Sequence, residues 1–172
     1  RVGGAGARLP DVRHAEDLEL LERLTTRFPA LGSGAGWNIA FGRELNATDD
    51  REHFGPAGLP VLEGKHITPF QASVASPGQH VERHVALRLL PDATFDRPRL
   101  GYRDVSSVSN RLTLIAAVIP AGVLTTHTIF CLRSPVALEA QHFLWGVCNS
   151  YVLNTVVRML MGGHLTTSLV EG

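Results

Sequence analysis

Apolar residues recur at helical spacing near the start of the chain. Leu18, Leu21, Leu24 and Phe28 fall on one stripe and Pro29 stops it, so the spacing predicts a helix over 14–28. The period then changes to two: Trp37, Ile39 and Phe41 alternate with Asn38, Ala40 and Gly42, as side chains do across a strand. After polar turn material at 46–51, Leu59-Pro-Val-Leu rises into Glu63-Gly-Lys-His. Residues 80–90 fit a short helix or a strand, with a turn before them at Ser76-Pro-Gly. Further strands are predicted at 99–104, 112–119 and 123–132.

Ser134-Pro135 is a helix opening, since serine caps and proline suits the first helical position. The helix it opens runs to Val147 and carries Leu138, Phe143, Leu144 and Trp145. Asn149-Ser150 starts a second helix with Val152, Val156, Met159 and Leu160 inward, ended by Gly162-Gly163. Residues 164–170 read as a final short strand. The expected class is therefore α+β, a mixed or antiparallel sheet with a C-terminal helical pair.

At 172 residues the chain has room for one domain with a sizeable core. The glycine-rich segment 1–13 reads as a flexible lead-in and 14–172 as the domain. The chain opens on Arg1 and its methionines are Met159 and Met161, the pattern of a piece of a longer polypeptide. The longest apolar run, Leu112 to Leu124, is interrupted by Pro120 and Gly122 and falls short of a membrane span. With no secretory segment, and with Cys131 and Cys148 in apolar company, the expectation is a cytoplasmic protein with two buried, reduced thiols.

Net charge is zero, which argues against indiscriminate nucleic-acid binding, but its distribution is uneven. Residues 1–60 hold seven arginines against nine carboxylates, whereas 97–133 hold Arg97, Arg99, Arg103, Arg111 and Arg133 against Asp104 alone. A local basic stretch in a neutral domain suits a module that shares its affinity with a neighbour. Lys65 is the single lysine among fifteen arginines.

Motifs for other chemistries are thin. His80 and His84 stand at i and i+4, a zinc-compatible spacing on a helix, yet the intervening glutamate is misplaced for a His-Glu-x-x-His protease. His127 reads as a satisfied, half-buried histidine. No Gly-x-Ser-x-Gly elbow occurs, and the glycines of 3–6 and 32–36 fit no nucleotide fingerprint.

Four segments carry a family resemblance, in order. They are Trp37-Asn-Ile-Ala-Phe-Gly-Arg-Glu-Leu-Asn-Ala-Thr-Asp-Asp, Leu59-Pro-Val-Leu-Glu-Gly-Lys-His-Ile-Thr-Pro-Phe, the central pair Leu100-Gly-Tyr-Arg-Asp with Asn110 to Pro120, and Leu144-Trp-Gly-Val-Cys-Asn-Ser-Tyr-Val-Leu. Over residues 30–170 the chain resembles the TaqI-like target-recognition (specificity) domain of bacterial DNA adenine-N6 methyltransferases and of the restriction enzymes fused to them. Where the family has asparagine-glutamate-arginine-threonine, this chain has Asn110-Arg111-Leu112-Thr113. Its arginine stands one place early, a shift that exchanges strand faces.

The resemblance implies a domain that reads duplex DNA beside a catalytic methyltransferase domain of the same polypeptide. S-adenosylmethionine would be bound by that parent enzyme and by nothing in this chain. The Asn/Asp-Pro-Pro-Tyr/Phe motif of such enzymes is missing, so no catalytic residue is expected here. The DNA-contacting candidates are Lys65, Arg99, Tyr102, Arg103, Asn110, Arg111 and Thr113. An arginine fork fits a guanine edge or a phosphate, asparagine fits adenine, and a threonine methyl meets thymine. The plainer alternatives stay open: Tyr102 as core, Asn110 as a turn residue, Lys65 as the partner of Glu63. Arg99 and Arg103 share one strand face, Leu100 and Tyr102 the other. The competing readings are a protein-interaction domain with no DNA role and a metal-dependent hydrolase using His80 and His84.

Overall fold

A computed structural model describes residues 10–75, 78–104, 111–161 and 165–172. In chain order the strands are β1 (Phe41–Gly42), β2 (Leu59–Leu62), β3 (Ile67–Thr68), β4 (Gln71–Ala72), β5 (His80–Val81), β6 (Arg99–Arg103), β7 (Ala116–Ile119), β8 (Leu124–Thr125) and β9 (Ile129–Leu132). The helices are α1 (Ala15–Arg27), α2 (Arg83–Leu89), α3 (Leu138–Cys148), α4 (Tyr151–Leu160) and α5 (Thr167–Glu171). The class is α+β, as the pattern predicts. None of these helices is long and apolar enough to cross a membrane.

The centre is an antiparallel sheet in the order β1-β9-β6-β7, with β6 paired on both sides. Alternation along β6 and β9 sends Leu100, Tyr102, Phe130 and Leu132 to one face, against Leu144 of α3 and Val157 of α4. The opposite face receives Ile129 and Cys131, which pack with Ala117, Ile119, Leu62 and Ile67. A smaller mixed sheet, β5-β2-β8, covers that second face with α2, through Leu45, Val61, Val81, Ala86 and Phe95. Because both faces are covered, a side chain from the middle of β6 has no route to solvent.

Several predicted elements end early for visible reasons. The alternation at 37–41 pairs as a strand only at Phe41–Gly42, because Asn38 is left-handed (φ 51°) and the Trp37 and Asn38 amides turn back to Leu31 and Ser33. The segment 112–119 becomes β7 only from Ala116, since the amides of Thr113 and Leu114 donate to Asn154 Oδ1, each at 2.7 Å. The segment 123–132 splits at Thr126-His127-Thr128, where a tight turn passes the chain from the small sheet to the central one. Within 80–90 both alternatives hold in succession, strand β5 and then helix α2.

Three expectations in the C-terminal part of the chain are corrected. Residues 167–171 form helix α5 and not a strand; Leu165, Leu169 and Val170 then meet the core at helical spacing. Val152 points out at 73% exposure, while Asn154, Val157 and Met159 turn inward. Ser134 does not cap α3, which starts at Leu138; its hydroxyl accepts from the Ala40 amide and donates to the Asn38 carbonyl. Ser150 does cap α4, accepting from the Leu153 amide at 3.1 Å. The expected helix end at Gly162-Gly163 lies outside the described residues.

Buried amides bolt the helices to the sheet. Gln141 Oε1 accepts from the Leu100 amide at 2.7 Å, and Asn149 Oδ1 from the Ala116 amide at 3.2 Å. The Ala116 carbonyl receives Asn149 Nδ2 at 2.9 Å and Trp145 Nε1 at 3.2 Å. At the opposite side of the sheet the Glu171 carboxylate accepts from the Phe41 amide at 2.7 Å. Asp11, within the expected lead-in, donates its amide to Met159 O at 2.7 Å.

Candidate functional site

The basic stretch separates into interior and surface arginines. Arg99 is buried, with 1% of its side chain exposed, and grips an equally buried Glu44: Nε to Oε1 at 2.7 Å and Nη2 to Oε2 at 2.6 Å. Nη2 also donates to the Val123 carbonyl at 2.8 Å, and Glu44 accepts from the Thr125 amide and hydroxyl at 2.9 Å. Burial opposes the Arg99 charge, but the neighbouring Cys131 and Glu44 outweigh it and hold the guanidinium above its ordinary value. Arg99 is thus a core residue, and its expected contact with DNA is withdrawn: the second layer covers its face of β6.

Tyr102 and Thr113 are corrected on the same ground. Tyr102 is 1% exposed, set against Phe41 at 5.0 Å and Phe130 at 5.3 Å between ring centroids. Burial, then the charges of Glu171 and Asp104, push its phenol well above the usual range. Thr113 is fully buried, its amide on Asn154 and its hydroxyl accepting from Arg158 Nε at 3.1 Å. Asn110 lies outside the described residues.

Lys65, Arg103 and Arg111 do reach the surface, and Arg103 joins their two clefts. It is the last residue of β6, where the covering layer ends, and its side chain is only partly exposed. One cleft, about 120 Å³, is lined by Glu63, Lys65, Arg103 and Thr128. The other, about 530 Å³, lies among Phe70, Arg103, Arg111, Leu112 and Tyr151. Lys65 pairs with Glu63 at 3.0 Å within a single helical turn, and the Gly64 amide donates to Thr128 Oγ1. Arg111 lies over Tyr151, Nε to Oη at 2.5 Å and guanidinium carbon 5.5 Å from the ring centre. Asp104 is taken by Arg43 at 2.8 Å. Among the described residues the Arg103 guanidinium has neither an ion pair nor a hydrogen bond, and it lines both clefts.

Two aromatic rings border the larger cleft. Tyr151 is the first residue of α4, directly after the cap, and is 57% exposed. Phe70 is 51% exposed at the tip of the β3–β4 hairpin, where Pro69-Phe70 makes the two-residue turn. Its φ of 66° is left-handed, a conformation that costs a bulky residue about 1–2 kcal/mol and that such a turn normally gives to glycine or asparagine. The ring stands edge-on to Trp145 at 5.5 Å, and the Phe70 amide points at the Ala116 carbonyl at 3.3 Å. Neither ring figures among the sequence candidates. A proline-aromatic pair at a hairpin tip, and an aromatic just after a helix cap, are the signals that mark them.

A larger cleft, about 640 Å³, lies at the other end of β6 but is charge-balanced, with Arg97 and Arg133 facing Asp92 and Asp96. Arg97 donates to the Arg133 carbonyl at 2.8 Å, and Arg133 to Thr94 Oγ1 at 3.2 Å. The histidine pair does not assemble on one helix face, because His80 belongs to β5 while α2 begins at Arg83. His127 Nδ1 accepts from the Ala47 amide at 3.2 Å. Gly36 closes tightly on its own turn, where a Cβ would stand 2.2 Å from the Ala30 carbonyl oxygen, and Gly32 packs against Glu171. No family model matches the chain, and no curated protein matches it.

Proposed function

We propose that this chain is the DNA target-recognition domain of a site-specific adenine-N6 methyltransferase or fused restriction-modification enzyme. The observation that carries the proposal is the gathering of cations along two clefts: Arg103 lies between them, with Lys65 in one and Arg111 and Tyr151 in the other. Cations along a groove neutralise phosphates, and aromatic faces beside them accept bases. The order of the motifs that resemble the family supports the same reading. S-adenosylmethionine and the reacting groups would belong to the catalytic domain of the parent protein, against which this domain grips the duplex.

Fluorescence anisotropy with mixed-sequence duplex DNA across a salt series tests it. The affinity is expected to fall by about tenfold or more between ~50 and ~200 mM salt, the response of several phosphate contacts. Arg103→Ala is expected to weaken binding at every salt concentration. Absence of binding at the lowest salt would overturn the proposal for the isolated domain.

A second reading, a protein-docking domain, is favoured by one feature. Trp37 and Phe143 stack on each other in the open at 5.9 Å, 45% and 62% exposed. Exposed apolar contacts of this kind mark interaction surfaces.

A further inference from the structure

We infer that Phe70 is a wedge that enters the duplex and unstacks a base step. The inference rests on the DNA-recognition reading and assigns that site a residue and a mode of contact. The hairpin tip projects a half-exposed phenyl ring at the border of the cleft that also holds Arg103 and Arg111. Proteins that kink DNA insert apolar side chains between base pairs while neighbouring cations hold the backbone. The cleft supplies both parts, and Pro69 beside the ring adds rigidity and apolar bulk.

Three details separate this from an aromatic that merely fills a turn. The ring sits at φ 66°, where glycine relieves strain, so the local fold gains nothing in its backbone from phenylalanine. Its ring–ring contact with Trp145 is edge-on, and the residue stays 51% exposed. Finally, the tip is anchored. Trp145 is fixed by its bond to the Ala116 carbonyl, and the Phe70 amide approaches the same oxygen. An insertion residue must hold its direction when pushed against a base stack, and a tip tied to β7 does.

The test uses mixed-sequence duplex carrying 2-aminopurine, whose fluorescence rises when it unstacks, with anisotropy read on the same samples. The expected result is salt-sensitive binding with a fluorescence rise. Phe70→Ala and Phe70→Gly should abolish the rise and weaken binding about tenfold, the scale of one lost stacking contact. Phe70→Trp should keep both. Phe70→Gly should also melt no lower than the parent protein, which separates a wedge from a structural ring. Salt-sensitive binding without a fluorescence rise, or a rise unchanged in Phe70→Gly, would overturn the wedge and leave DNA recognition standing. No binding by the unsubstituted protein would overturn the recognition reading, and the wedge with it.

Discussion

Removing the Arg99 side chain strands the Glu44 carboxylate in the interior without a countercharge, held by Thr125 and by a long 3.5 Å bond from the Thr94 hydroxyl. Arg99→Ala is therefore expected to cost about 3–5 kcal/mol, read as a lower urea midpoint, because the carboxylate left behind is buried and unpaired. Arg103 is on the same strand face but, among the described residues, has no such partner. Arg103→Ala should leave unfolding within about 0.5 kcal/mol while weakening DNA binding. If Arg103→Ala unfolds the protein as readily as Arg99→Ala, the strand end is structural. Sequence alternation correctly put both arginines on one face. What it did not contain was the second layer, which comes from β2, β8 and the segment around Glu44, far away in the chain.

At the scale of elements, Asn154 matters more than its position in α4 suggests. One side-chain oxygen receives two amides from the turn before β7, and its nitrogen donates to the carbonyls of Cys148 and Ser150, each at 2.9 Å. Asn154→Leu should destabilise the protein by about 2–4 kcal/mol in urea unfolding, the cost of stranding two buried donors. An unchanged midpoint would mean that the turn finds other acceptors. The same residue explains how much of the fold was legible. Hydrophobic period located α3 and α4, which send Leu144 and Val157 into the main core, and apolar runs located β6 and β9, which are buried on both faces. Period also located α1, although Leu21 is the one buried residue of that helix. It overran at 112–115, where the residues are apolar and buried but bonded to a side chain and so not in a ladder. It also passed over Phe70, because the Pro69-Phe70 pair marks a turn only once the hairpin around it is known, and hydrophobic period does not reveal a two-residue hairpin. Of the surface candidates, Lys65, Arg103 and Arg111 were legible as charges; their separation into clefts was not.

For the molecule as a whole, the two buried thiols give a pH limit. Burial pushes Cys148 up to about 12, and burial with the Glu44 charge pushes Cys131 up to about 11, from an ordinary value of 9.0. Above that ordinary value the unfolded chain releases thiol protons that the folded chain keeps, so ionisation favours unfolding. This contribution to stability is whole below pH 9.0 and is lost as the pH climbs towards about 12. Urea midpoints measured across that window should fall, and the paired substitution Cys131→Ala and Cys148→Ala should flatten the fall. An equally steep decline in the paired variant would assign alkaline unfolding to other groups.

The bonds at the two margins of the central sheet carry one more consequence. β1 and β7 are its outer strands, and a free outer strand is a template on which another chain can add its own. Here the Phe41 amide is held by the Glu171 carboxylate, and the Ala116 carbonyl by an indole, a carboxamide and the hairpin amide. A strand arriving from a second copy would have to displace a charged group at one margin and three donors at the other. The contacts that dock α5 and the β3–β4 hairpin therefore also guard the sheet against self-association by strand addition.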